Sequence, residues 1–487
     1  MVNLRPLFEH TSPKQVVFKN TFWLTLANLI ARAFKFFLII FAGRILGPTG
    51  YGTFTYAFSL VGLFFMFSDL GLSVLFVREY QKQDFKRDRL ISTTFILKFI
   101  LVVIAALIGL SFYRLTQDPL VRSVYPILLL LFTVTGLKDF LTTIARAEQR
   151  MEYEGAAALL EAAGVTILGI AALTRAPSLP GLAFAYLVGV VLYTFYLAIV
   201  TKRLLPPLRL CTFAEAKELL TLSYPFAFGV VIGLLLTTDV FLIKWLKDAE
   251  LVGQYAVGSR IVQFLSGVLG AFLAAFYPVL SGLTQERPRA AAMVRRAIST
   301  AFMIAIPIVV GGFILSERLI VGLFSDRYQP GVVSFQVLIL LIPLSYAISI
   351  LDTLLFAFNE QVRNMKITAI AAITNAILSI FLILRFSIVG AAIAIVIAQL
   401  LNFFLTYRLS RQVLGEALFE LAPVRSYIIA AFLMALIVAT LNPLTLSTAL
   451  IVFSGAASYF FVLVLLREST LRSFFAVNRS ILKKSSI

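Results

Sequence analysis

The sequence offers little of what most enzymes are built from. Its 487 residues include one cysteine, Cys211, and one histidine, His10. A lone thiol excludes an internal disulfide and a cysteine-ligated cluster, and a lone imidazole excludes a histidine metal centre, so no metal ligand is assigned. Nucleophilic catalysis on a Cys–His pair is excluded with them, and no catalytic residue is assigned. Charge is scarce as well: 14% of the residues are Asp, Glu, Lys or Arg and 60% are hydrophobic, where a soluble domain carries about 25% charged residues. Long polar segments are missing too, since only short connections separate the apolar runs, and none has room for an inserted soluble domain. Soluble enzymes and nucleic-acid binders are thereby set aside. With a mean hydropathy of +0.96 the chain reads as an all-α polytopic membrane protein.

Hydrophobic windows of bilayer length define about fourteen spans. They cover 21–43, 53–76, 91–111, 122–144, 156–174, 179–200, 222–246, 252–276, 296–316, 332–358, 365–384, 388–407, 425–441 and 445–466. The residues before Thr21 are polar and mixed. The first apolar run is too long for a signal peptide and no small-residue cleavage site follows it, so it is expected to stay as an anchor.

The basic residues sort by side. With the N-terminus in the cytoplasm, 28 of the 42 Lys and Arg fall in cytoplasmic segments and eight outside. Over short loops that asymmetry orients the chain, with both termini cytoplasmic. A faint repeat links "GPTGYGTF" around Phe54 to "AELVGQY" around Tyr255, at an offset of about 201 residues or six spans. The halves therefore run in the same direction, a transporter architecture. The expected organisation is an N-terminal six-helix bundle over 1–207, an interfacial linker helix over 208–221, a C-terminal six-helix bundle over 222–410, and two extra helices with a basic tail over 411–487. Between the first two spans, Gly47, Pro48, Gly50 and Gly52 predict a turn from Gly43 to Gly52. Pro225, Pro278, Pro307 and Pro343 predict bends.

Charge inside the apolar runs is the functional signal. An ionisable group at mid-bilayer costs about 2.5–3.5 kcal/mol even on the lenient insertion scale. Asn28, Arg32 and Lys35 share one face of the first span, and Ser59, Gly62, Asp69 and Ser73 one face of the second. Asp239 lies in the seventh span, Arg260 and Gln263 in the eighth, and Asp352 in the tenth. Two cations one turn apart at mid-membrane repel each other unless an anion is expected, so Arg32, Lys35 and Arg260 are the candidates for holding an anionic headgroup. Asn28, Asp69, Asp239, Gln263 and Asp352 are candidates for the polar cavity wall. Lys98, Lys138, Asp139, Glu161 and Lys244 stand within a few turns of span ends and are expected to snorkel or pair locally.

The stretch "GRILGPTGYGTFTYAFSLVGLFFMFSDLGLSVLFVRE" resembles the opening of polysaccharide-export flippases, the O-antigen flippases among them. "FAEAKELLTLSYPFAFGVVIGLLLTTDVFLIKWLKDAELVGQYAVGSRIVQF" resembles the second-half signature of the same proteins. They belong to a superfamily with multidrug and toxin extruders and lipid II flippases. The resemblance runs from about Lys19 onward. It implies two six-helix bundles forming a V, two added helices, alternating access, and a glycan on a polyprenyl diphosphate carrier as substrate. It places the protein in the cytoplasmic (inner) cell membrane, among membrane lipids and glycan-assembly proteins. No cofactor is implied, and a coupling ion such as Na⁺ or H⁺ stays open. Arg32, Lys35, Asp69, Asp239 and Arg260 fall where such proteins carry charge toward the cavity. A multidrug-extrusion-type antiporter is the alternative, although a cavity for cations should be acidic. A membrane glycan-processing enzyme would need a larger outward loop.

The topology is testable by cysteine labelling after removal of Cys211. Cysteines at positions 117 and 327 are expected to react with an impermeant reagent from outside, and those at 85 and 288 are not. External labelling at 85 would contradict the orientation.

Overall fold

A computed structural model describes residues 13–82, 86–207, 209–236 and 238–466. Arg5, Phe85, Leu208, Thr237 and the tail cations Arg467, Arg472, Arg479, Lys483 and Lys484 lie outside the described residues, as do the side chains of Lys14, Lys19 and Pro225. Among the described residues every regular element is helical and there is no strand. In chain order the α-helices are α1 Pro13–Phe65, α2 Leu72–Lys82, α3 Arg87–Leu115, α4 Pro119–Ala147, α5 Met151–Arg175, α6 Leu179–Thr201, α7 Phe213–Leu236, α8 Asp239–Leu246 and α9 Ala249–Ser266. They continue as α10 Gly270–Ser281, α11 Arg287–Ile314, α12 Ser316–Leu323, α13 Val332–Leu338, α14 Leu341–Ala357, α15 Gln361–Leu414, α16 Leu421–Leu441 and α17 Thr448–Leu465. Among the described residues nine helical stretches are long and apolar enough to cross a bilayer, or ten if the bent pair Asp326–Leu338 and Leu341–Ala357 is one span. The chain is a multi-pass, all-α membrane protein.

Two of those stretches are longer than one crossing. A straight helix of 54 residues such as α15 would reach about 80 Å, against a hydrocarbon core of about 30 Å. Each of the two is broken at one residue: α1 at Gly47, with φ 66° and ψ 178°, and α15 at Ser387, with φ 54° and ψ −137°. The turn expected over Gly43–Gly52 is thus compressed to Gly47. Pro48 follows as the first residue of the new helical run, a position where its missing N–H costs nothing. The second span departs from expectation in the other direction. After a 3₁₀ turn at Met66–Ser68, Leu70 (φ 42°) and Gly71 (φ 78°) adopt left-handed conformations before α2 begins. Ser59, Gly62, Asp69 and Ser73 therefore do not form one helical stripe. By contrast, α11 continues through Pro307.

The linker and seventh span are also joined differently from expectation. Thr212 and Glu215 form a reciprocal cap: the Thr212 N–H donates to Glu215 Oε2 at 2.9 Å and the Glu215 N–H to Thr212 Oγ1 at 3.3 Å. From that start α7 runs unbroken to Leu236, so the expected linker helix and the start of the seventh span are one element. Arg209 and Arg89 hold the same carboxylate at 2.7 and 3.1 Å. Hydrogen bonding from Arg209, with that of the Thr212 N–H, holds the Glu215 carboxyl down to about 2.

The helices pack as two compact units. One comprises Asn20–Val257 with Ile383–Ile388, and the other Gly258–Leu382 with the described parts of Met1–Lys19 and Val389–Ile487. The first has a core around Leu72, Phe76, Ile91, Phe140, Ile144 and Leu197. In the second, α16 and α17 dock on α11 through Met303, Tyr427, Met434, Ile451 and Tyr459, and the Tyr459 hydroxyl donates to the Met303 carbonyl at 2.9 Å. Large apolar side chains also point outward, among them Phe99, Phe195, Phe432 and Phe453. In water such a surface would be an aggregation hazard; in hydrocarbon it meets its solvent.

A close backbone approach within the first unit joins the segments around Gly52 and Gly253. A Cβ on Gly52 would stand 1.8 Å from the Ala249 carbonyl oxygen, and one on Gly253 would stand 2.0 Å from the Pro48 carbonyl oxygen. Gly52 and Gly253, like Pro48 and Ala249, stand 201 residues apart, the offset of the expected repeat, and the two approaches are reciprocal. Gly52→Ala and Gly253→Ala are each expected to lower thermal stability by about 1–3 kcal/mol or more, the range for overpacking. Gly322→Ala, with nothing within 4 Å of its Cβ position, should leave the melting temperature of the purified protein unchanged.

Candidate functional site

Three helices and one residue of a fourth build a charged cavity within the first unit. On α1, Asn28, Arg32 and Lys35 recur at helical spacing and face it together with Ala31. On α4 the stripe is Lys138, Asp139, Thr142 and Arg146, on α5 it is Glu154, Ala158 and Glu161, and α6 contributes Tyr193. The enclosed volume is about 360 Å³, at the lower end of the range for small-molecule sites.

The charges are arranged as two pairings and two open ends. Glu161 bridges two lysines: Lys35 Nζ lies 2.6 Å from Oε1 and Lys138 Nζ lies 2.7 Å from Oε2. The Lys138 ammonium also lies 4.5 Å from the centre of the Tyr193 ring, and the Tyr193 hydroxyl pairs with that of Thr142 at 3.0 Å. Arg146 grips Glu154 with both arms of its fork, at 2.8 and 2.6 Å. The Arg32 guanidinium and the Asp139 carboxylate make no hydrogen bond or ion pair among the described residues. Four cations and three carboxylates line the cavity. It is close to neutral when empty, yet one of its cations, Arg32, is exposed and has no partner among the described residues.

This arrangement partly corrects the expectation. Asn28, Arg32 and Lys35 are brought together as anticipated, but Lys35 is not an uncompensated charge, since the chain supplies its anion from α5. Lys138, Asp139 and Glu161 were expected to snorkel or pair locally and are instead members of the same cavity. A signal for them was present: Lys138, Thr142 and Arg146 repeat every four residues, and Glu154, Ala158 and Glu161 at four and three, the same spacing that picked out Asn28, Arg32 and Lys35.

The remaining candidates sit elsewhere. Asp69 is not among the residues lining this cavity. It pairs with Lys98 at 2.7 Å and accepts from the Ser73 hydroxyl at 2.5 Å, while Lys98 also donates to Ser73 Oγ at 2.6 Å. This network holds the break at Leu70–Gly71. Asp239 is buried and accepts from the Tyr255 hydroxyl at 2.8 Å. In the second unit, Arg260 donates to Gln263 Oε1 at 3.0 Å and Gln263 to Ser259 Oγ at 3.1 Å, a chain along one face of the helix. Asp352 accepts from Asn364 Nδ2 at 2.9 Å. Among the described residues no cluster of three or more His, Cys, Asp or Glu is placed to hold a metal.

Comparison with known proteins adds a family. The family described as "Polysaccharide biosynthesis protein" matches residues 17–284, more than half of the chain and the whole of the cavity. The chain belongs to this family. Two relatives carry related names. The probable flippase AglR of Haloferax volcanii is 29% identical over 248 residues, covering 47% of this chain and 50% of that protein. The match thus spans about half of that relative's length. A putative O-antigen transporter of Shigella flexneri is 20% identical over 404 residues, 78% of this chain and 94% of the relative. Among solved structures, the lipid II flippase MurJ in an inward closed conformation superposes with a TM-score of 0.76, at 15% identity, over 91% of this chain and 98% of that one. At that identity the likeness establishes the fold.

The Asp69–Lys98 pair generates a stability prediction. Lys98 is almost wholly buried and Asp69 about a third exposed, so Lys98→Met strands a carboxylate at membrane depth. A loss of about 3 kcal/mol is expected, read as a lowered melting temperature. The double variant with Asp69→Asn should recover much of the loss.

Proposed function

We propose that the protein is a flippase that moves a lipid-linked oligosaccharide, carried on a polyprenyl diphosphate, across the cytoplasmic membrane by alternating access for cell-surface polysaccharide export. It is a transporter and not an enzyme. One observation carries the substrate class: a polar cavity in a membrane-embedded unit, lined by Arg32, Lys35 and Lys138, with the Arg32 guanidinium unpaired among the described residues. A diphosphate presents oxygens to such cations, and guanidinium suits them in particular because its planar fork donates two parallel hydrogen bonds. Asn28, Thr142 and Tyr193 supply donors and acceptors for sugar hydroxyls. The polyprenyl tail stays in lipid. The names of the relatives support the same reading, and so does the family.

Arg32, Lys35 and Arg260 hold the anionic headgroup, and Asn28, Asp69, Asp239, Gln263 and Asp352 serve the polar wall and its support. The chain crosses about fourteen times with both termini cytoplasmic, in six-span repeats over 1–207 and 222–410 followed by the added helices of 411–487. Glycan-assembly proteins are its partners in the membrane. Arg260 biases the protein between its two access states by contacting the anion in one more than in the other, as any ligand-driven shift requires.

The test is export of glycan by cells that depend on this protein. Arg32→Ala is expected to lower export by about tenfold or more, the scale of one lost close charge contact, at normal membrane abundance. Arg32→Lys should recover part of the rate, keeping the charge without the fork, and Arg32→Glu should be inactive. Normal export by Arg32→Ala and by Lys35→Ala, singly and together, would overturn the anion-binding role.

A further inference from the structure

Glu161 poses a problem for an anion site. Its carboxylate sits where an anionic ligand should go, with one oxygen on Lys35 and the other on Lys138, at 2.6 and 2.7 Å. We infer that Glu161 is an exchangeable counterion: it occupies Lys35 in the empty cavity and yields that lysine to a phosphate of the incoming ligand, remaining on Lys138. This rests on the reading of the cavity as a diphosphate site.

The geometry distinguishes the lysine that exchanges from the one that stays. The Lys35 side chain is 38% exposed and that of Lys138 is 19% exposed, while Glu161 is 7% exposed. A ligand entering past the exposed Arg32, one turn away on α1, meets Lys35 first and meets Glu161 last. Lys138 is held a second time by the face of the Tyr193 ring at 4.5 Å, an attraction a phosphate on Lys35 does not disturb. Arg146, the remaining cation of the cavity, is paired through Nε and one Nη with both oxygens of Glu154.

The exchange happens in side chains and leaves the helices where they are. Along α1 and α5, Ala27 packs on Gly155 and Leu38 on Gly169, where an added Cβ would come within 3.2 and 2.7 Å. Between those contacts Thr166 Oγ1 donates to the Phe34 carbonyl at 3.1 Å. α1 is thus tied to α5 on both sides of Lys35, and loss of one ion pair does not free it.

A counterion of this kind answers two requirements of a carrier. Three uncompensated cations at membrane depth would be expensive in the empty protein. The same three would also hold a diphosphate too tightly to let it go, and transport needs binding that is reversible on the working timescale. Glu161 lowers the first cost and weakens the second interaction by competing for Lys35.

The test measures binding of geranyl diphosphate to the purified full-length protein by calorimetry, beside glycan export in cells. Glu161→Gln keeps the shape and removes the competing charge. It is expected to tighten geranyl diphosphate binding by about tenfold and to lower export, because release becomes slow. Binding by Glu161→Gln equal to or weaker than that of the parent overturns the exchange and gives Glu161 a structural role. Glu161→Asp, whose shorter arm does not span both ammonium groups, should tighten binding by a smaller factor and serves if the Gln variant does not insert. Unchanged or weaker binding by that variant counts equally against the exchange. Arg32→Ala separates the two levels. If the parent binds and Arg32→Ala does not, the diphosphate reading stands, and the exchange alone is judged by the position 161 variants. If the parent does not bind geranyl diphosphate, the reading and the exchange both fail.

Discussion

A charge inside a bilayer has to be answered by another charge, and the first unit is arranged around that requirement. Hydrocarbon offers no water to solvate an ammonium or a carboxylate, so most of the ionised groups here find a partner on a neighbouring helix. Glu161 joins α5 to α1 through Lys35 and to α4 through Lys138. Lys98 on α3 joins Asp69 in the break before α2, and Arg146 on α4 joins Glu154 on α5. These pairs fix the rotation of five helical segments about their axes more tightly than apolar packing does, because a small turn of any helix would leave a charge facing lipid. The same rotation presents the cavity face of α1 with Arg32 open.

The backbone meets the bilayer under a parallel constraint. Its polar groups must stay hydrogen-bonded within helices, so breaks are confined to single residues or short turns. Gly47 and Ser387 each divide one long helix. Leu70 and Gly71 interrupt the second span where Asp69, Ser73 and Lys98 surround the break with polar partners. The reciprocal contact of Gly52 and Gly253 belongs to the same economy of space, with two carbonyl groups lying where any side chain would have to be.

Much of this was legible from the residues, and the rest was not for identifiable reasons. Hydropathy marks spans well because transfer of some twenty apolar residues outweighs local preferences. It does not mark where a span breaks internally: the positive φ angles at Leu70 and Ser387 are imposed by tertiary neighbours on residues that have no preference for them. The cap at Thr212 and Glu215 was written in the sequence as a T-x-x-E spacing, and it joins what hydropathy alone divides into linker and span.

The sequence by itself determined that this chain lives in a membrane, that its apolar runs are mainly helical, and that Asn28, Arg32 and Lys35 share a face. Those properties depend on composition and on spacing along one unbroken helical run. Only the tertiary structure decided which charges meet. Glu161 is 126 residues from Lys35 and Asp69 is 29 residues from Lys98, and nothing in spacing along the chain specifies a partner on another helix. The choice is made by the packing that sets the helices side by side, and it reverses the expected roles: Asp69 serves Lys98 and the break in its own span, while Glu161 becomes the anion that Lys35 requires.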